Sequence, residues 1–378
     1  MLICTMKKIT HFFYLLLSAS RFLLFPFSLF WGVIAALRRK CNRKAKTFNI
    51  PTICVGNLCT GGSGKTPHVE YIADFLSQNH QVAILSRGYG RKTKGYIHAN
   101  EIPNLSSEII GDEPMLYVTK FPNVEVAVCE KRKIGIEKLL IENSKLEIVV
   151  LDDAYQHLSV NYSLRILLTE YDRPYFKDYP LPIGNLREFR SVSKYADIII
   201  VTKCPDSLSE DEKKLFKQKL RLKSHQELFF TKIKYEVGGC EEKSPSNFEG
   251  VDGNAGRGSL YGKSNILLIT GIANPKPLVQ YLESQFGKIY KLHFPDHHAF
   301  TKKDIEKIIR LKKQLGGDSC IIITTEKDSQ RLKDFDNMLD YQTIPIEVVF
   351  LEKEDCFQEK LLFAPYAKSP ASPNPGTM

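Results

Sequence analysis

The sequence predicts an α/β protein: a doubly wound, mostly parallel sheet around a phosphate loop, a second and smaller α/β domain, and an N-terminal membrane-interface helix. Three observations predict it. Short Val/Ile/Leu runs alternate with helical stretches, and the runs are continuous, as in strands covered on both faces. "VGNLCTGGSGKTP" (55–67) sets a Gly-rich turn between one such run and an amphipathic segment. An apolar N-terminal stretch ends in a basic cluster.

The N-terminal stretch comes first. Residues 9–37 are strongly apolar and are followed by "RRKCNRKAK". A signal peptide would carry many cysteines into an oxidising space. A spanning helix needs roughly 20 uninterrupted apolar residues, and Arg21 and Pro26 interrupt this run. The reading favoured over a span or a buried core helix is one or two helices in the bilayer interface. Arg38, Arg39, Lys40, Arg43, Lys44 and Lys46 would then face anionic headgroups.

Strands follow at 51–56, 82–86, 124–129, 147–152, 164–169 and 196–202, with helices between them, as at 66–79 and 132–143. A polar helix near 208–223 and a strand at 228–236 close this domain. Residues 238–262 contain seven glycines and no periodicity, and read as a surface loop. A second α/β set has strands at 266–271, 289–294, 320–325 and 346–351. The predicted boundaries are 1–46 (membrane-associated), 47–236 (phosphate-loop domain), 237–264 (linker), 265–366 (second domain) and 367–378 (Pro-rich, disordered tail).

Composition narrows the class. Apolar residues make up 43% and charged residues 25%, a globular balance. The nine cysteines are odd in number with no C-x-x-C pair, which fits reduced thiols and argues against structural zinc. The net charge of +10 suits an anionic surface or a phosphorylated substrate. No nucleic-acid-reading module is evident, so no nucleic acid is expected, nor an obligate protein partner.

The loop departs from G-x-x-x-x-G-K-[ST], because Cys59 stands where the first glycine should be. Gly61, Gly62, Ser63 and Gly64 can still turn several N–H groups onto an anion at a helix N-terminus. Lys65 would reach the β- and γ-phosphates, and Thr66 would ligate Mg²⁺. Pro67 lies in the first turn, where its missing N–H costs nothing. "EIVVLDDAYQH" ends a strand with Asp152 and Asp153, two adjacent carboxylates that a cation such as the Mg²⁺ of bound ATP would neutralise. A Gly-rich turn with an accidental lysine, and a solvated Asp pair, are the plain alternatives.

In order, "VGNLCTGGSGKTP", "SRGYGR", "GDEPML", "VVLDDAYQH", "IGNLRE", "FPDHHAF" and "TTEKD" resemble the tetraacyldisaccharide 4′-kinases of lipid A biosynthesis, from about residue 20 to 332. That family also lacks the first loop glycine. The resemblance implies transfer of the ATP γ-phosphoryl group to the 4′-hydroxyl of a tetraacylated disaccharide 1-phosphate, yielding lipid IVA. It further implies a peripheral location on the cytoplasmic face of the inner membrane, with that lipid surface as a partner.

The resemblance also assigns roles. Asp112 matches the catalytic base and His297 its partner, with His298 an open alternative and a helix-capping role open for Asp112. The two fall in different predicted domains, so the pair would be completed on closure. Asp152 and Asp153 match the acidic pair for Mg²⁺ and phosphoryl positioning, and Glu188 an acid near the metal or the loop lysine. Gln156 and His157 match neighbouring site positions. Arg87 and Tyr89 would line the disaccharide site, with a helix-capping or packing role the open alternative. Arg132 would contact phosphate, although the acid usually preceding it is displaced in "CEKRK". Lys327 and Asp328 read as structural.

The alternative is a membrane-associated P-loop GTPase or ATPase switch, since "VTKCPD" (201–206) approximates a guanine-reading motif. Pro205 stands where the acid is needed. A tethered, non-enzymatic nucleotide-binding adaptor is a further rival, which phosphate transfer to a lipid would eliminate.

Overall fold

The computed structural model describes residues 24–41, 45–236 and 265–367. Residues 1–23, the linker over 237–264 and the tail from 368 lie outside the described residues, as do Arg43 and Lys44.

In chain order the chief elements are α1 (Phe25–Cys41), β1 (Thr52–Asn57), α2 (Lys65–Ser77), β2 (Val82–Ser86), β3 (Ile97–His98), α3 (Asp112–Lys120), β4 (Glu125–Val128), α4 (Arg132–Glu142), β5 (Ile148–Leu151), β6 (Leu164–Glu170) and β7 (Ile198–Thr202). There follow α5 (Glu210–Leu220), β8 (Glu227–Tyr235), β9 (Asn265–Thr270), α6 (Lys276–Phe286), β10 (Ile289–His293), α7 (Lys302–Gln314), β11 (Cys320–Thr325), α8 (Glu326–Leu332), β12 (Gln342–Ile344), β13 (Ile346–Phe350) and α9 (Glu354–Ala367). The strands form a nine-stranded, mostly parallel sheet and a four-stranded parallel one. One assignment changes: the sequence pattern places 346–351 with the second set, but β13 belongs to the larger sheet, and the short β12 completes the smaller one.

Two compact units divide the chain. The first comprises the described residues up to Lys65, Asp153–Lys232 and those from Phe350 onward. Its strands run β8-β7-β6-β1, parallel throughout. Every residue of β1 and β7 is buried, as their continuous apolar sequences require.

The second unit comprises Thr66–Asp152 and Ile233–Val349. It holds β5-β2-β4, parallel, with β3 antiparallel on β4. It also holds the smaller sheet, ordered β10-β9-β11-β12. Successive residues of β9 face opposite ways: Leu267 and Ile269 pack with Phe294, Ile305 and Ile308, whereas Ile266 and Leu268 pack with Leu278 and Leu282. The two-residue period of a strand thus builds a core on each face.

α1 inverts the usual amphipathic arrangement. Its inward side is small or polar: Ser28 Oγ donates to Pro180 O at 2.6 Å, and Gly32 packs so tightly on the Phe189 ring that a Cβ would overlap it. Trp31 Nε1 donates to Arg187 O at 3.1 Å. Phe25, Phe27, Leu29, Phe30, Ile34 and Leu37 are exposed. No helix among the described residues is long and apolar enough to cross a membrane.

Candidate active site

The phosphate loop lies in the first unit. β1 delivers the chain to Asn57, and the loop is then pinned from beyond by "IGNLRE": Thr60 N donates to Asn185 O (2.8 Å) and Arg187 N to Leu58 O (2.7 Å). Gly61 and Gly64 adopt φ of 104° and 81°, which the turn needs and a side chain would resist. Lys65 opens α2, with Nζ 3.5 Å from Asn57 Oδ1 and 3.7 Å from Asp153 Oδ1. Asp153 sits at φ 44°, outside the range most side chains adopt, and turns its carboxylate to Arg187, whose Nη1 is 3.0 Å from both oxygens. Gln156 accepts from Arg187 at 3.3 Å and donates to Asn57 O at 2.7 Å. His157 follows on the same turn, its carbonyl accepting from Tyr162.

Two buried groups at the loop, Ser63 Oγ and Asn57 Nδ2, have no hydrogen-bond partner among the described residues. Buried donors are rarely left so, and beside an ammonium and a turn of N–H groups they fit a phosphate. Cys59 lines the loop as a neutral thiol, pushed up to about 11 by burial and then by Asp178 and Glu170. Glu188, expected near the metal or the loop lysine, accepts from Arg39 at 2.7 Å, tying α1 to the loop's brace.

The sequence reading missed Thr202 and Lys203. Thr202 Oγ donates to Ser63 O at 3.0 Å, and Lys203 bonds the carbonyl of Gly62 and pairs with Glu170 at 2.8 Å. The off-pattern "VTKCPD" therefore supports the loop backbone.

The second unit holds the remaining candidate residues. Ser86 Oγ donates to Asp152 Oδ2 at 3.1 Å. Thr66 and Asp152 supply hard oxygen donors, the type that Mg²⁺ takes alongside phosphate oxygens. No cluster of three or more His, Cys, Asp or Glu able to cage a metal occurs among the described residues. Arg132 is wholly buried and donates to the carbonyls of Cys129 (2.6 Å) and Asp152 (3.0 Å), so it braces the end of β5.

Asp112 opens α3 without capping it. Its Oδ2 instead meets His297 Nδ1 at 3.0 Å. Both residues belong to the second unit, so the pair expected only on closure is already formed. His298 is otherwise engaged, 3.1 Å from Asp304 and stacked on Phe294. Gly111 (φ 95°) lets this turn lie against Tyr89 O, 2.8 Å from where a Cβ would stand. The exposed Tyr89 ring is 5.4 Å from that of His297, and Arg87 is exposed on the same loop. Arg331, also missed, brings Nε to 3.4 Å from Asp112 Oδ2, and Asp328 is fully buried beneath it.

A strand–loop–helix anion cradle with a lysine, together with a separate carboxylate–histidine pair, defines a P-loop phosphotransferase. A family model described as tetraacyldisaccharide-1-P 4′-kinase (LpxK) matches residues 20–364. The chain belongs to that family, and it is a kinase acting on a hydroxyl group. Tetraacyldisaccharide 4′-kinase of Flavobacterium johnsoniae is 42% identical over 346 residues, covering 90% of this chain and 96% of that protein. Its Bacteroides thetaiotaomicron counterpart is 39% identical, covering 90% and 92%. A crystal structure of LpxK from Aquifex aeolicus in complex with ATP is 30% identical, covers 92% of this chain and 99% of its own, and superposes with a TM-score of 0.66. Nothing in these likenesses supports the GTPase alternative.

Proposed function

We propose that this chain moves the γ-phosphoryl group of ATP to the 4′-hydroxyl of a tetraacylated disaccharide 1-phosphate at a membrane surface, giving lipid IVA. The observation that carries the reading is the Asp112–His297 pair in a chain that also keeps the Lys65 loop. Lys65 and the N–H groups of Gly61–Gly64 hold the β- and γ-phosphates, where a cation is most useful as charge shifts. Arg187 fixes Asp153, which steers the Lys65 ammonium. Thr66 and Asp152 would hold Mg²⁺, which when bound would neutralise phosphate charge. Asp112 accepts the proton of the acceptor hydroxyl and His297 orients it. Tyr89 and Arg87 line the sugar side, and Gln156 and His157 support the acidic turn.

The exposed apolar side of α1, with Arg38 and Lys40 at its end, supports seating on an anionic lipid surface. We assign that surface to the cytoplasmic face of the inner membrane. Glu188 anchors α1 through Arg39, so lipid contact and loop share one brace.

The test is incubation with ATP, Mg²⁺ and tetraacyldisaccharide 1-phosphate, followed by mass and phosphate-position analysis. A 4′-phosphorylated product is expected, and Lys65→Ala should form it at least about 100-fold more slowly. Phosphate at another hydroxyl, or none, overturns the proposal.

A further inference from the structure

Thr325 caps α8, its hydroxyl accepting from Asp328 N, and the helix then presents Lys327 and Arg331 four residues apart on one face. That face meets the Asp112–His297 pair. Lys327 Nζ is 3.2 Å from His297 Nε2 and 3.3 Å from Glu113 Oε1. His297 Nδ1 is 3.0 Å from Asp112 Oδ2. Asp112 and Glu113 are neighbours in the first turn of α3, so the four side chains close a ring: Asp112, His297, Lys327, Glu113.

The ring has one consistent set of protons. An ammonium has three donors and no acceptor, and Lys327 directs one donor to Glu113 Oε1. His297 Nε2 must therefore accept. A neutral imidazole accepting at Nε2 carries its proton on Nδ1 and donates it to Asp112, because the bond made by one ring nitrogen selects the state of the other. Asp296 Oδ2 is 4.0 Å from Nε2, beyond hydrogen-bond reach, and does not compete.

The ring's position is fixed from behind. His297 holds φ 58° with its N–H on Gly271 O (3.2 Å). Gly271 is in turn held by Asp328 Oδ2 (3.0 Å) and Arg331 Nη2 (3.2 Å).

We propose that Lys327 is a positioning residue that locks His297 as the Nδ1–H tautomer and so commits Oδ2 of Asp112, leaving Oδ1 to take the acceptor's proton. Oδ2 receives the His297 N–H and lies beside Arg331 Nε, whereas Oδ1 has no hydrogen-bond partner among the described residues. The inference rests on Asp112 as the base, but its first readout does not depend on catalysis.

Nitrogen-15 NMR of ring-labelled histidine in the full chain, assigned with His297→Gln, reads the tautomer directly. His297 should show a protonated Nδ1 and a bare Nε2. Lys327→Met should abolish that single pattern, and Lys327→Arg should restore it. With ATP and the lipid acceptor, Lys327→Met should lose about tenfold or more in kcat, part of the 10²–10⁴ that a general base supplies, with KM for ATP changed less than about threefold. A protonated Nε2 in the wild type overturns the proposal, as does a Lys327→Met protein that keeps the Nδ1–H pattern. The wild-type spectrum decides even if that variant fails to fold. If Asp112→Ala retains activity while the tautomer is as stated, it is the base assignment that fails.

Discussion

Arg187 grips both carboxylate oxygens of Asp153 through a single nitrogen, 3.0 Å from each, while Asp153 Oδ1 stands 3.7 Å from the Lys65 ammonium. Asp153 thus separates two cations at the phosphate loop. Asp153→Asn leaves those cations unneutralised, so the field offered to ATP becomes more positive while the lysine loses its guide. We expect kcat to fall at least about tenfold with no weakening of ATP binding. Calorimetric titration with a non-hydrolysable ATP analogue checks this; weaker binding at preserved turnover contradicts it.

Asp112→Ala addresses the proposed base. The residue's side chain bonds His297 and does not cap its helix, so the loss should fall on the chemical step. Turnover is expected to drop by about 10²–10⁴ with KM for ATP nearly constant. A defect confined to KM would move the base elsewhere.

Glu70 on α2, almost completely buried, is bonded to Lys120 at 2.9 Å, and Lys120 also pairs with Glu326 at 2.8 Å. Burial pushes the Glu70 carboxyl up to about 7 from an ordinary 4.5, against the lowering pull of Lys120. Burial pulls the Lys120 ammonium down, but Glu70 and Glu326 outweigh it and hold the group above the ordinary lysine range. The folded Glu70 binds its proton more tightly than the unfolded one, so its contribution to stability is present below about 4.5 and is lost as pH rises through about 7. Urea unfolding of wild type and Glu70→Gln between pH 5 and 8 should show wild type losing stability relative to the variant as pH rises. Parallel curves would mean that Glu70 stays ionised throughout.

Phe27, Phe30 and Ile34 are exposed on α1 and carry none of its anchoring bonds. Replacing all three by serine should leave the melting temperature unchanged and reduce sedimentation with anionic vesicles at least about tenfold. Burying one such side chain is worth roughly 1.5–3 kcal/mol. Undiminished sedimentation would assign membrane contact to another part of the chain.

What could be read in advance followed from local physics. Continuous Val/Ile/Leu runs made β1, β2 and β5–β7 legible to within a residue or two, because strands covered on both faces need apolar residues at every position. The loop was legible from its glycines and lysine, and His297 from the family motif. The short β3 and β12 carry too few residues for a period to show. β13 was found as a strand but assigned to the wrong sheet, because its own residues do not name its neighbour.

The sequence by itself determined the element types, the phosphate loop and the kinase family, since each is written in contiguous residues or in motifs of fixed order. Only the tertiary structure decided that His297 and not His298 reaches Asp112, that Arg132 braces main chain, and that Lys327 and Arg331 close around the Asp112–His297 pair. Those facts depend on side chains up to 219 positions apart converging within ion-pair distance. Such contacts are set by how helices and strands pack, and no local pattern of residues encodes them.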